Sequence, residues 1–248
     1  MLWIKKLFLG FSLAFSMLSI IPFFKVHHFY KGINGFAVMF YPLVGLILGS
    51  ILALFFYLFE GLLPETYLYV LTFALWVLLT GALHLDGVAD VLDALFVSRN
   101  RREAVLKDPH IGAMGFIFTL LFMIIKLTAL MQVDLIYLLP MLLMLSRFNA
   151  VIAIYFFDYI RKDGMGSLAK EELKGWQVFI ALVMISSIGF IDNSYLFLWM
   201  LVALLLSLLL TYGLAKKYFG GFSGDLYGLL IEMSELFLLH IIMFRVAV

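Results

Sequence analysis

The sequence predicts an all-α fold: a polytopic integral membrane bundle of about seven transmembrane helices with an N-terminal interfacial or re-entrant helix. The first observation is composition, because 65% of the 248 residues are hydrophobic and only 13% are charged, whereas soluble domains carry about 25% charged residues. The second is a series of apolar runs that approach the roughly 20 residues needed to cross a bilayer. The third is that lysine and arginine collect in alternate loops. We expect residues 1–248 to form one transmembrane domain.

The N-terminal apolar run, residues 7–21, is flanked by positive charge on both sides. Lys5 and Lys6 precede it, and Lys25 and Lys31 follow it. Basic residues mark the cytoplasmic side of a membrane. Both flanks are therefore predicted to lie on that side, with the segment interfacial or re-entrant and not crossing.

Seven later runs are predicted to cross the membrane. They are residues 36–59, 66–83, 111–131, 135–157, 176–191, 195–214 and 226–246. Gly45 and Gly49 in the first run form a small-xxx-small pair, which favours close contact with another helix.

The connections between these runs predict the orientation. Three turns lack lysine and arginine: 60–65, 132–134 and 192–194. Three polar loops hold most of the later basic residues: 84–110, 158–175 and 215–224. The two sets alternate, as the positive-inside rule requires. We therefore expect a multi-pass protein of the cytoplasmic (inner) membrane whose polar loops face the cytoplasm.

The first polar loop opens with three carboxylates, Asp86, Asp90 and Asp93. On a helix these spacings place all three on one face. Stacked carboxylates repel one another unless a cation lies between them, and Mg²⁺ is a hard cation that prefers oxygen ligands. The pattern predicts a Mg²⁺ site at these three residues. A solvated acidic helix face is the alternative.

A basic cluster follows the acidic face directly. It consists of Arg99, Arg101, Arg102 and Lys107. A metal-binding acidic face beside a basic one suits a substrate that carries phosphate groups. The alternative is that these charges only fix the topology.

A third polar stretch, residues 220–225, leads into the last predicted span. Asp225, Glu232 and Glu235 would share one face of that helix. Carboxylates inside an apolar helix are costly unless they are paired, protonated or bound to metal. They are predicted to complete the site from the far side, or alternatively to pair with Lys126 or Arg147. His84 is a candidate metal ligand or general base, or a packed interfacial residue.

Two classes of site are excluded. The chain has no cysteine, so it has neither disulfides nor thiolate metal ligands. It also lacks an extended basic face or a known nucleic-acid-binding module, so no nucleic-acid partner is expected.

Four blocks of the sequence resemble the cobalamin synthase family, the adenosylcobinamide-GDP ribazoletransferases. They read TGALHLDGVADVLDAL, RNRREAVLKDPHIGAMG, GGFSGDLYGLLIEMSEL and, near the start, FYPLVGLILG. The resemblance covers essentially the whole chain in the same order. It implies Mg²⁺-dependent joining of adenosylcobinamide-GDP to α-ribazole or its 5′-phosphate, with release of GMP.

The same resemblance assigns roles to residues of this chain. The catalytic residues would be Asp86, Asp90 and His84. The substrate-binding residues would be Arg99, Arg101, Lys107, Asp108, Arg147, Ser223, Asp225, Glu232 and Glu235. The lipid bilayer is the expected surrounding, and association into homo-oligomers stays open.

Two other functions compete. A CDP-alcohol phosphotransferase also uses aspartates and a metal in a helical membrane protein. Its D-G-x-x-A-R motif is incomplete here, because Asp86-Gly87-Val88-Ala89 is followed by Asp90 and the arginine is missing. An ion-coupled transporter would use Glu232, Glu235, Lys126 and Arg147 as an ion path. It would show discontinuous helices and charges near the middle of the membrane.

Overall fold

In a computed structural model, the described residues are 3–21, 24, 26, 29–133, 136–161, 164–192 and 195–246. Within that part of the chain the regular structure is helical, which confirms the predicted fold class. The helices are α1 (Trp3–Leu18), α2 (Ile33–Met39), α3 (Tyr41–Phe59), α4 (Glu65–Thr80), α5 (Leu83–Leu95), α6 (Arg102–Val105), α7 (Ala113–Leu130), α8 (Leu139–Phe156), α9 (Met165–Glu172), α10 (Gly175–Asp192), α11 (Tyr195–Tyr218) and α12 (Gly224–Val246).

Each of the seven predicted runs contains a helix. Five segments of the described chain are long and apolar enough to cross a membrane: α3, α7, Ile136–Phe156, α11 and Gly224–Phe244. A sixth crossing is obtained if α4 and α5 are counted as one broken span, while the apolar part of α10, Gly175–Ser187, is shorter. The protein is therefore a multi-pass helical membrane protein.

The break between α4 and α5 turns the chain by 84°. Gly81 and Ala82 at this break have φ values of 61° and 55°, and their N–H groups donate to the carbonyls of Leu78 and Val77. A left-handed conformation is unusual for alanine and costs about 1–2 kcal/mol. The predicted span 66–83 consequently ends early, and α5 leaves at a new angle with the three aspartates.

The first predicted span, 36–59, is also divided, because α2 ends at Met39 and α3 begins at Tyr41, with Phe40 between them. The prediction for Gly45 and Gly49 is confirmed, since both face α8. A Cβ added at Gly45 would lie 2.7 Å from the carbonyl carbon of Leu143, and one at Gly49 would lie 2.5 Å from Cα of Pro140.

Helix α1 has 16 residues and packs against α2 and α3. It is not among the described helices that are long and apolar enough to cross a membrane. Lys25, one of its predicted basic flanks, lies outside the described residues. The interfacial or re-entrant placement therefore stays a prediction.

The three basic loops meet at one end of the bundle. The N–H of Ile160 donates to the carbonyl of Phe222 at 2.9 Å, and the N–H of Phe222 donates to Asp158 at 2.9 Å. The Arg161 side chain reaches the carbonyl of Leu106 at 3.1 Å. This shared location agrees with the predicted alternation of loops and turns. Residues 134 and 193–194 of the opposite turns lie outside the described residues.

Candidate active site

Helices α5 and α12 cross with their backbones in contact, and glycines make this crossing possible. A Cβ added at Gly87 would lie 2.7 Å from the carbonyl oxygen of Asp225, and one at Gly228 would lie 3.2 Å from the carbonyl oxygen of His84. Small residues at such crossings let membrane helices approach closely. The crossing places the start of α5 beside the start of α12.

An acidic cluster forms at this crossing. Asp90 is only partly exposed, and it interacts electrostatically with Asp86, Asp225 and Asp93. Arg161, from the loop before α9, supplies a positive charge, and its Nη2 donates to Oδ2 of Asp225 at 2.8 Å. The crossing thus brings together carboxylates of two predicted site segments.

Asp86 and Asp90 are the carboxylates of this cluster that would hold a Mg²⁺ ion. Among the described residues, no group of three or more histidine or acidic side chains forms a metal-binding arrangement, so a preformed cage is not present there. Mg²⁺ commonly binds one or two carboxylates, with phosphate oxygens and waters filling the other positions. Asp86 and Asp90 suit that mode.

Asp93 has a different environment from the other two aspartates. Its oxygens accept N–H groups of Gly112 at 2.6 Å and Gly115 at 2.7 Å. These amides belong to the N-terminus of α7, where free N–H groups need acceptors. The sequence predicted Asp93 as a metal ligand, whereas the structure uses its carboxylate as a cap for α7.

A basic cavity of about 590 Å³ opens beside the acidic cluster. Its basic lining residues are Arg99, Arg102, Lys107 and Arg161. Arg99 and Lys107 were predicted as substrate-binding residues. Arg102 was predicted as part of the basic cluster but not named as a binding residue. Arg161 was assigned only to a loop, so sequence reasoning missed its place in the site.

Two predicted binding residues, Arg101 and Asp108, are exposed and are not among the residues that line this cavity. Asp108 accepts hydrogen bonds from the ring and the backbone N–H of His110 at 2.8 and 3.0 Å, which lower the pKa of its carboxyl group. Within the cavity wall, Lys107 donates to Glu103 at 2.7 Å and lowers the pKa of that carboxyl group.

A second cavity, of about 250 Å³, lies among α1, α3, α5, α8, α9 and α12. Its polar lining residues include His84, Asp86, Asp225 and Tyr227. His84 is 3% exposed and Tyr227 is 8% exposed. Both ring nitrogens of His84 and the hydroxyl of Tyr227 lack a hydrogen-bond partner among the described residues. We call this the apolar cavity, because its remaining wall is mainly aliphatic.

The charges inside the bundle form a buried ion-pair cluster. Lys126 contacts Glu232 at 2.7 Å and also contacts Glu235, which in turn contacts Arg147. The Lys126 ammonium lies 4.3 Å from the centre of the Trp76 ring. Glu232 and Glu235 therefore form the ion pairs with Lys126 and Arg147 that the sequence analysis gave as the alternative to a role in the site.

The same arrangement separates three predicted binding residues from the cavities. Arg147, Glu232 and Glu235 are at most 3% exposed and are not among the residues that line either cavity. The carboxylates share a helix with Asp225, as predicted, but they lie deeper in the bundle. Their role in binding substrate stays a prediction to which this geometry gives no support.

Ser223 is fully buried at the start of α12. Its hydroxyl donates to Oδ2 of Asp225 at 3.2 Å and accepts the N–H of Leu226 at 3.4 Å. A serine in this position caps a helix. Ser223 was predicted to bind substrate, whereas in the structure its hydroxyl hydrogen-bonds to the carboxylate of Asp225 and orients it.

This fold and site define a multi-pass helical membrane protein with carboxylates and a basic cavity at one end of the bundle. A family model described as cobalamin-5-phosphate synthase matches residues 10–243, and the chain belongs to that family. No solved structure matches the chain significantly.

Three similar proteins carry the name adenosylcobinamide-GDP ribazoletransferase. The protein of Desulforamulus reducens is 31% identical, over 96% of this chain and 97% of its own length. That of Geotalea daltonii is 34% identical, over 90% and 92%. That of Desulfitobacterium hafniense is 33% identical, over 81% and 83%.

Family membership confirms the resemblance seen in the sequence and decides between the competing functions. The transporter alternative predicted discontinuous helices and charges near the middle of the membrane. The structure contains a broken helix pair, α4 and α5, and a buried ion-pair cluster inside the bundle. These features therefore belong to the architecture of a membrane transferase.

Proposed function

We propose that this chain transfers the adenosylcobinamide phosphate group of adenosylcobinamide-GDP to α-ribazole or α-ribazole 5′-phosphate. The products are adenosylcobalamin or its 5′-phosphate and GMP, and the reaction depends on Mg²⁺. Family membership and the shared name of the relatives support this assignment.

The observation that carries the proposal is the Arg161–Asp225 pair. Arg161 lines the basic cavity and Asp225 lines the apolar cavity, and their side chains meet at 2.8 Å. A diphosphate held in the basic cavity therefore has the acidic cluster at its edge. An acceptor in the apolar cavity reaches the same place from the other side.

The reaction is a displacement at phosphorus. A ribose hydroxyl of the acceptor forms a bond to the phosphorus that carries the corrinoid, and the bond from this phosphorus to the bridging diphosphate oxygen breaks. GMP leaves with that oxygen, and the hydroxyl proton passes to a base. His84 and Asp86 both line the apolar cavity, so they are the candidate bases on the acceptor side.

The basic side chains position the donor substrate. Arg99, Arg102 and Lys107 hold the diphosphate, because guanidinium and ammonium groups form strong charge-assisted hydrogen bonds to phosphate. Mg²⁺ held by Asp86 and Asp90 would neutralise charge on the diphosphate. Phosphoryl transfer depends mainly on such positioning and charge stabilisation.

We place the protein in the cytoplasmic (inner) membrane with this site facing the cytoplasm. The support is the concentration of lysine and arginine in the loops that form the site end. The 18-residue α7 carries only one charged residue, the ion-paired Lys126, which is consistent with lipid contact along its length.

The test is release of GMP by purified protein supplied with adenosylcobinamide-GDP, α-ribazole and Mg²⁺. Asp86→Asn and Asp90→Asn keep side-chain volume and remove charge, so each should insert normally and lose activity by several orders of magnitude. Glu60→Gln, in a turn at the far end of α3, is the control and should retain activity.

The Mg²⁺ dependence separates the parts of the proposal. A variant with weakened coordination should need more Mg²⁺ for half-maximal rate. Full activity of Asp86→Asn and Asp90→Asn at low Mg²⁺ would refute the proposed metal site but not the proposed reaction. Failure of the wild-type protein to release GMP in a corrinoid-dependent way would refute the proposed reaction.

A further inference from the structure

The apolar cavity has walls suited to a flat hydrophobic group. Ile154 of α8, Ala169 of α9 and Ile231 of α12 contribute aliphatic surface, and Tyr41 and Tyr227 contribute aromatic rings. Pockets that enclose whole drug-sized ligands measure about 300–1,000 Å³. A cavity of about 250 Å³ therefore matches one ring system better than a complete nucleotide.

An aromatic stack holds the Tyr227 ring in place. The ring centroids of Phe222 and Tyr227 are 5.2 Å apart with planes inclined by 14°. Tyr159 stacks on Tyr227 at 5.8 Å and 17°, and Phe157 stacks on Phe222 at 5.7 Å and 25°. Because rings on neighbouring segments fix its plane, Tyr227 presents a preformed wall to the cavity.

The cavity holds few polar groups that could bind a ligand away from the carboxylates. The hydroxyl of Tyr41 donates to the sulfur of Met17, whereas the two ring nitrogens of His84 and the hydroxyl of Tyr227 have no hydrogen-bond partner among the described residues. Buried groups of this kind normally have a hydrogen-bond partner. A ligand with one or two polar atoms would satisfy them, whereas guanine has more donors and acceptors than these groups can match.

We infer that the apolar cavity binds the aromatic base of the acceptor nucleoside, with a hydrogen bond from His84 or Tyr227 to its free ring nitrogen. This inference rests on the proposed function and assigns one of its two substrates to a subsite. A benzimidazole base is flat and apolar and has a single unsubstituted ring nitrogen. Its ribose would then lie at Asp86 and Asp225, at the edge of the basic cavity.

Two substitutions test this subsite by changing its size. Ala169→Val adds carbon atoms to the wall, and Ile231→Ala removes them. The control is Ile242→Ala, a fully buried position of α12 that is not among the cavity-lining residues. The measured quantity is the ratio of kcat/KM for α-ribazole, which carries dimethylbenzimidazole, to kcat/KM for the nucleoside of unsubstituted benzimidazole.

We expect Ala169→Val to lower this ratio about tenfold or more, since one carbon of misfit in an apolar pocket changes kcat/KM by about 10- to 200-fold. Ile231→Ala should raise relative use of a larger naphthimidazole nucleoside. Ile242→Ala should leave both preferences unchanged. KM for adenosylcobinamide-GDP should stay the same throughout, because the donor occupies the other cavity.

Equilibrium dialysis of radiolabelled α-ribazole, without donor, separates failure of the inference from failure of the proposed function. If the wild-type protein binds α-ribazole and Ala169→Val binds it more weakly, the subsite is supported even if no GMP is released. Unchanged base preference in both cavity variants would overturn the subsite. A raised KM for adenosylcobinamide-GDP, with an unchanged ratio, would instead assign the cavity to guanine.

Discussion

Replacing Glu235 by glutamine tests the buried ion-pair cluster, because this carboxylate contacts both cations. Lys126 and Arg147 are balanced by Glu232 and Glu235, all of them at most 3% exposed. Glu235→Gln leaves two positive charges and one negative charge. Glu232→Gln has the same charge change, but Lys126 then keeps Glu235 as a partner.

The two variants should differ in stability. Removing one partner of a buried ion pair costs about 3–5 kcal/mol, because the other charge stays buried and uncompensated. Glu235→Gln should fall in this range, since Arg147 loses its only ionic partner among the described residues. Two nitrogens of Arg147 already lack a hydrogen-bond partner there. Glu232→Gln should cost less, because Lys126 also lies over the Trp76 ring.

The assay is reversible unfolding in detergent, followed by tryptophan fluorescence, with Glu232→Gln as the matched comparison. A double variant, Glu235→Gln with Arg147→Met, restores a balanced cluster of Lys126 and Glu232. It should be more stable than Glu235→Gln alone. With Arg147→Met measured as well, the four proteins form a double-mutant cycle for the pair. Equal destabilisation by the two single variants, without recovery in the double variant, would refute the charge-balance argument.

Three further predictions follow from individual contacts. Asp93→Asn should lower stability by about 0.5–2 kcal/mol, the usual cost of losing a helix cap, while the Mg²⁺ concentration for half-maximal rate stays unchanged; a raised Mg²⁺ requirement would return Asp93 to the metal site. Gly87→Ala should cost about 1–3 kcal/mol by overpacking the α5–α12 crossing, measured as a lower unfolding temperature together with lost GMP release; a fully stable and active variant would contradict the close contact. Because the chain lacks cysteine, single cysteines at Arg101 and Lys217 should label only from the cytoplasmic side and one at Glu65 only from outside, and labelling of the first two in intact cells would reverse the proposed orientation.

Hydrophobic length and charge made most of the fold predictable from sequence. Apolar runs give helices, and Gly45 and Gly49 predicted the close contact that α3 makes with α8. The 84° break before α5 was not predicted. Gly81 is a familiar helix terminator, but nothing in the sequence marks Ala82 as left-handed. The aspartates were therefore expected on a helix whose direction was unknown.

The acidic part of the site was predictable because helical spacing is local, whereas its partners depend on tertiary contacts. Asp86 and Asp90 lie together as their spacing indicates. Arg161 was not assigned to the site, because only the backbone pairing of its loop with residue 222 brings it to Asp225. Asp93 has the same local spacing as the other aspartates, yet the glycine amides of α7 take up its carboxylate.

The order of synthesis gives the buried ion-pair cluster a consequence for biogenesis. Glu232 follows Lys126 by 106 positions, and Glu235 follows Arg147 by 88. At about 5–20 residues per second, roughly 5 to 20 seconds separate the synthesis of each cation in α7 and α8 from the synthesis of its counter-charge in α12. Each unpaired cation costs about 2.5–3.5 kcal/mol at the centre of a membrane helix. We therefore expect these two helices to remain beside the insertion machinery until α12 arrives, so that the last helix completes membrane integration and the catalytic end together.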